Sequence, residues 1–302
     1  IAHAEKGEAL RILGRYPEAL VALDRALELA PAYSWAYGSK GAALHDMGQY
    51  EEALQALDKA TEYDPNYAWA YGIKGEALFR LSRHKDAVQA IDKAVKLFPD
   101  YGWAYGTKGV ALYRQGRYRE AVQAFSEALE RDPENLLSYA WRGDAYSRLG
   151  EHRKSRGDYR KAIERGNSLK PDPWNLSAVG WCQYRLGRYD EAIRSYLEVL
   201  TMDPGMTSTQ YDLALALLCS GRSSRALRDS QKGVEASSDK GILQRKYELK
   251  VAIDDLTEAM PEKPKLPEDA QEAWEKARKL LEKALRGEPV SYTHLRAHET
   301  VL

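Results

Sequence analysis

The sequence predicts an all-α fold, an α-solenoid of stacked antiparallel helix pairs. Three observations predict it. Gly7, Gly41, Gly75, Gly109 and Gly143 recur 34 residues apart. Two alanine series, Ala19, Ala53, Ala87, Ala121 and Ala26, Ala60, Ala94, Ala128, keep the same step. Pro31, Pro65, Pro99 and Pro133 close the blocks so defined. A fixed period of this length marks an architecture in which each unit buries its apolar face against its neighbours.

The elements follow block by block. In 34–67, WAYGSKGAALHDM reads as a first helix, stopped at Gly48 because glycine favours the residue after a helix C-terminus. EEALQALDKATEY reads as the second, ended by Asp64-Pro65, since proline cannot continue a helix and restricts its predecessor. Block 68–101 repeats 34–67 at about half its positions, and 1–33 and 102–135 keep the same punctuation. Blocks 136–172, 173–206 and 207–240 are degenerate, the first lengthened by the turn RGNSLKPDP. Gly41, Ala53 and Ala60 are expected to let the two helices approach, because a large side chain there would force them apart. Residues 241–287 are expected to cap the stack, with two helices around the proline-rich linker at 261–269; AQEAWEKARKLLEKALRG carries an amphipathic stripe suited to that.

A helix–turn–helix unit with this Gly…Tyr…Ala…Ala…Pro spacing resembles the tetratricopeptide repeat family, over residues 1 to about 240. The resemblance implies a right-handed superhelix that binds protein partners in a concave groove. It also implies that the groove is lined by the first-helix face holding Trp35, Gly38, Ala42, His45 and Asp46. The same face in other blocks gives columns. Trp35, Trp69, Trp103, Leu137 and Trp174 form one; His45, Phe79, Tyr113, Ser147 and Tyr184 form another; Arg80, Arg114, Arg148 and Arg185 lie beside it.

Aromatic and arginine side chains dominate binding energy at interfaces, so Trp35, Trp69, Trp103, Trp174, Phe79, Tyr113, Tyr184 and the four arginines are the candidate peptide-binding residues. Two readings stay open for each set. The tryptophans line the groove or fill the gap between repeats. The arginines hold an acidic ligand or pair with Glu76 and Asp144 along the wall. The Lys6, Lys40, Lys74, Lys108 and Arg142 column is expected to be solvated, its stems covering apolar surface. Some relatives hold an acidic chaperone tail with a Lys–Asn–Arg clamp. Gly38, Gly72 and Gly106 stand where that clamp needs Lys, and Ala42, Glu76 and Val110 where it needs Asn, so chaperone-tail binding is not expected.

Composition narrows the function. The 45 basic residues balance 45 acidic ones, against nucleic-acid and polybasic membrane binding. LALALLC at 213–219 is too short to span a bilayer. Cys182 and Cys219 have no CxxC spacing and read as small buried residues. No phosphate loop, HExxH or GxSxG motif occurs.

The expectation is a non-enzymatic scaffold without cofactor or metal that binds a peptide of another protein. Cytoplasmic placement is favoured, and the oligomeric state is open. The alternative is the recruiting arm of a larger enzyme or sensor. The final stretch PVSYTHLRAHET (288–302 as a whole) continues no helical pattern and resembles a translated sequencing adapter, which points to a disordered, non-native tail and a fragmentary chain. Its His294 and His298 share a helical spacing, but two ligands do not make a zinc site.

Overall fold

In a computed structural model, residues 1–220 and 268–286 are described. They form helices α1 (Ala2–Ile12), α2 (Tyr16–Leu29), α3 (Ser34–Asp46), α4 (Tyr50–Tyr63), α5 (Ala68–Arg80), α6 (His84–Leu97), α7 (Gly102–Arg114), α8 (Tyr118–Arg131), α9 (Leu136–Arg148), α10 (His152–Ser168), α11 (Pro173–Arg185), α12 (Tyr189–Met202), α13 (Thr207–Cys219) and α14 (Glu268–Leu285). No strand occurs among the described residues. The end of block 207–240, the first of the two expected capping helices, the linker at 261–267 and the tail lie outside them. The chain divides into two compact units, 1–158 and 159–302.

In the first unit α1, α3, α5 and α7 each pair with the even helix after them, and α2, α4, α6 and α8 each pack on the next odd one. Successive odd helices α1, α3, α5, α7 and α9 also pack on one another, so the first helices form a continuous layer. The reason is at the glycines. A β-carbon on Gly41 would fall 2.5 Å from Leu57 Cγ, and one on Gly75 would fall 2.4 Å from Ile91 Cγ1. Gly7 with Leu23 and Gly109 with Phe125 repeat this at 2.5 Å. The close approach expected at Gly41 is present: a β-carbon there would also lie 3.2 Å from the Ala53 carbonyl oxygen, and the bare position is the socket for the Leu57 side chain.

The turn after each first helix needs a left-handed residue. Gly14, Gly48, Gly116 and Gly150 supply it with φ between 73° and 76°, but at the third turn Ser82 sits at φ 59°. A non-glycine residue there carries strain from its β-carbon.

The lysine column is not simply solvated. Lys40, Lys74 and Lys108 each reach back to the preceding second helix, pairing with Asp24, Asp58 and Asp92 at 2.6 Å. At the next step Ser126 replaces the aspartate, and Arg142 bonds it at 3.0 Å. Arg142 then turns forward to Asp158, through Nε at 2.7 Å and Nη2 at 3.0 Å.

In the second unit α11 pairs with α12, α12 with α13, and Gly180 receives Tyr196 as the earlier glycines receive their partners. Ala277, Leu280, Leu281 and Ala284 of α14 share one buried cluster with Leu213, Leu215 and Leu217 of α13.

Candidate functional site

The first-helix layer of the first unit holds most of the candidate residues. Its tryptophans form tilted pairs with the tyrosine two residues before: Tyr33–Trp35, Tyr67–Trp69 and Tyr101–Trp103, with centroids 6.0, 5.8 and 5.4 Å apart. These pairs also bridge repeats. The Tyr67 ring lies over Gly38 of the preceding pair, where a β-carbon would come within 2.6 Å of Cε1, and Trp103 lies over Gly72 at the same distance. The glycines are therefore covered by the next repeat's aromatic rather than by their own. Burial, reinforced by nearby acids such as Glu8, pushes the Tyr67 hydroxyl well up, so the group stays neutral. Trp35 and Trp69 are half-buried, while Trp103 keeps 38% and Leu137 45% of their surface exposed.

The next column is more enclosed. Phe79 keeps 8% exposure and packs with Leu78, Val88 and Leu112, which leaves little of its ring for a ligand. Tyr113 is half-buried and meets Tyr118 and Trp141 edge-on at 5.3 and 5.5 Å. His45 meets Tyr50 in the same way at 5.4 Å.

The arginines make no ion pair with Glu76 among the described residues, and they do not behave alike. Arg148 donates from Nε to the Tyr113 hydroxyl at 3.3 Å and lies 5.6 Å above the Tyr118 ring. Arg114 lies 5.5 Å above Trp141, and its buried Nε has no hydrogen-bond partner among the described residues. The buried Nε of Arg80 also lacks one. Upstream, Arg11 replaces the aromatic, chelates Glu8 and reaches Asp46 of the next pair at 2.7 Å. Burial disfavours the Asp46 anion, but hydrogen bonds from His45 and Arg11 outweigh it and hold the carboxyl below its usual range.

In the second unit Trp174 stands 70% exposed at the start of α11. Tyr184 keeps 8% exposure, and burial drives its hydroxyl far above the ordinary tyrosine value. Arg185 donates to the Tyr159 hydroxyl at 3.1 Å and lies 5.7 Å from the Trp181 ring. Of the rings that hold these arginines, Trp181 falls on the groove face in the column of Glu8, Ala42, Glu76, Val110 and Asp144, while Trp141, Tyr118 and Tyr159 were not singled out by the columns. A repeat-to-repeat aromatic at the start of the second helix (Tyr16, Tyr50, His84, Tyr118) was the available signal.

The described residues contain no group of three His, Cys, Asp or Glu side chains placed to hold a metal ion. Cys182 and Cys219 form no disulfide among the described residues, and Cys182 is fully buried. No described helix is long and apolar enough to cross a membrane. The first-helix face presents partly exposed rings together with guanidinium groups, two of which keep a buried Nε without an acceptor among the described residues.

Sequence profiles described as tetratricopeptide repeat match residues 1–66, 40–102, 107–169 and 173–206. A crystal structure of MamA is similar at 25% identity, over 53% of this chain and 94% of that one, with a TM-score of 0.50. MamA from Desulfovibrio magneticus RS-1, residue 41 to the end, is similar at 22% identity over 56% and 96%, with a TM-score of 0.52. The Cut9–Hcn1 hetero-tetramer of the APC/C matches at 15% identity over 78% and 48%, with a TM-score of 0.60, a likeness of fold. No curated protein sequence matches significantly. With repeat profiles spanning well over half of its length, the chain belongs to the tetratricopeptide repeat family.

Proposed function

We propose that the first-helix face of the first unit binds a peptide segment of a partner protein, in keeping with the interaction role of tetratricopeptide repeats. The observation that supports it is the pair Arg80 and Arg114. Both guanidinium groups sit on this face with a buried Nε that has no acceptor among the described residues, and Arg114 is braced on Trp141. A desolvated donor without an acceptor is costly, and an arriving carboxylate would remove that cost. Trp103 and Tyr113, partly exposed on the same layer, would hold apolar side chains of the peptide. Phe79 and Arg148 act in this reading as supports, because the first is buried and the second is engaged by Tyr113 and Tyr118. The reading is one of binding rather than catalysis.

A peptide array screened with the wild-type chain tests it. Hits should be rich in Asp or Glu next to apolar residues, and an Arg80→Ala/Arg114→Ala variant should weaken them at least tenfold, about 1.4 kcal/mol. Hits bound equally by both proteins would remove the arginines from the site.

A further inference from the structure

On the outward stripes of the second helices the charge changes sign along the chain. On α4, Glu51, Glu52, Asp58 and Glu62 are all exposed. Asp58 and Glu62 meet Lys74 and Lys59 at 2.6 and 2.8 Å, while Glu51 and Glu52 have no basic partner among the described residues. On α10 the corresponding stripe is Arg153, Arg156 and Arg160, all exposed and none paired with a carboxylate among the described residues. Of the acids nearest in sequence, Asp158 is turned inward onto Arg142 and Glu151 pairs with Lys154.

The repeat makes the two stripes geometrically equivalent. Glu51 and Arg153 occupy the same position of the 34-residue unit, as do Asp58 and Arg160. Each pair of positions spans seven residues of helix, about 10 Å. One molecule thus carries two stripes of equal pitch and opposite sign. The chain is neutral with an isoelectric point near 7.2, so no net repulsion keeps copies apart at neutral pH.

We propose that α10 of one molecule docks against α4 of a second copy, antiparallel, with Arg153 facing Asp58 and Arg160 facing Glu51. The parallel arrangement is disfavoured because it sets Glu62 against Glu164. The contact joins two different surfaces, so each docked pair still offers one free stripe of each sign, and growth is open-ended. Exposed ion pairs are individually weak and screened by salt, so this association belongs to concentrated protein at low ionic strength.

Sedimentation velocity on the full chain tests it. Wild type should gain mass with concentration at about 20 mM salt and return to monomer at about 500 mM, where the screening length is a few ångströms. An Arg153→Glu/Arg156→Glu/Arg160→Glu variant and a Glu51→Lys/Glu52→Lys/Glu62→Lys variant should each stay monomeric at low salt, with circular dichroism confirming that both remain helical. Their equimolar mixture should associate, because each supplies the stripe the other lost. A Lys85→Gln/Lys96→Gln variant on α6, which changes surface charge without completing an acidic stripe there, should behave as wild type. Monomeric wild type at low salt, association of either triple variant alone, failure of the mixture, or loss of association in the α6 variant would each overturn the proposal.

Discussion

Arg148 donates from Nε to the hydroxyl of Tyr113, 35 residues earlier. The same offset joins Arg11 to Asp46 and the Tyr184 hydroxyl to the Cys219 thiol. The period is 34, so the stack is sheared by one residue: a side chain in one column meets the neighbouring column of the adjacent repeat. This converts a row of arginines into inter-repeat ties wherever the previous repeat offers a hydroxyl or a ring. Arg148→Ala is therefore expected to lower stability by about 1 kcal/mol, from one lost hydrogen bond and one cation–π contact, while leaving peptide affinity within a factor of two. Chemical denaturation and a binding titration read the two effects separately.

The glycine sockets predict a coupled pair. Gly75→Ala should cost about 1–3 kcal/mol, because its β-carbon meets Ile91 Cγ1. Ile91→Ala should cost about 2–5 kcal/mol. In the Ile91→Ala background, Gly75→Ala should become neutral or favourable, since the clash is gone and alanine is the better helix former. A double-mutant cycle by urea denaturation measures this, and additive effects would contradict it.

Ser82 stands in a left-handed turn that glycine occupies at the equivalent positions 14, 48, 116 and 150. Ser82→Gly is expected to stabilise the chain by about 1 kcal/mol, and Gly116→Ser to destabilise it by a similar amount, both visible as shifts in the thermal midpoint.

The Arg142–Asp158 pair is the enclosed one among the inter-helix ion pairs of the first unit, with side-chain exposures of 16% and 9%. Removing one partner leaves a buried charge. Asp158→Ala should therefore cost about 3 kcal/mol, whereas Asp92→Ala, on an exposed pair, should cost no more than about 1 kcal/mol.

Asp46 gives a pH signature. Its folded carboxyl titrates below the ordinary value, so its stabilising effect is complete above about pH 4, the unfolded carboxylate range, and fades as pH falls toward the folded value. The stability gap between wild type and Asp46→Asn should be constant near neutrality and shrink below about pH 4. A pH-independent gap would contradict the assignment to the Arg11 and His45 contacts.

The helix pairs were legible because glycine, alanine and proline recur at one period, and each has a single backbone or packing reason to stand there. The contacts between columns were less so. Reading Trp35, Trp69 and Trp103 as a column says which residues are equivalent, not which touch; that Trp103 covers Gly72 follows from the shear between repeats. The Lys40–Asp24 tie was readable in principle. Both residues recur together at 34, and where Ser126 replaces the aspartate the lysine also changes, to Arg142. The engagement of Arg148 and the unfilled Nε of Arg114 look identical in sequence, and they differ only in which ring or hydroxyl the neighbouring repeat presents.

The account turns on which face takes the peptide. A photo-crosslinking residue placed at Glu76, on the first-helix layer, or at Gln89, exposed on the second helix α6, measures this directly with a peptide from the array. Capture from position 76 alone is the result the account predicts; capture from position 89, or equal capture from both, would contradict it.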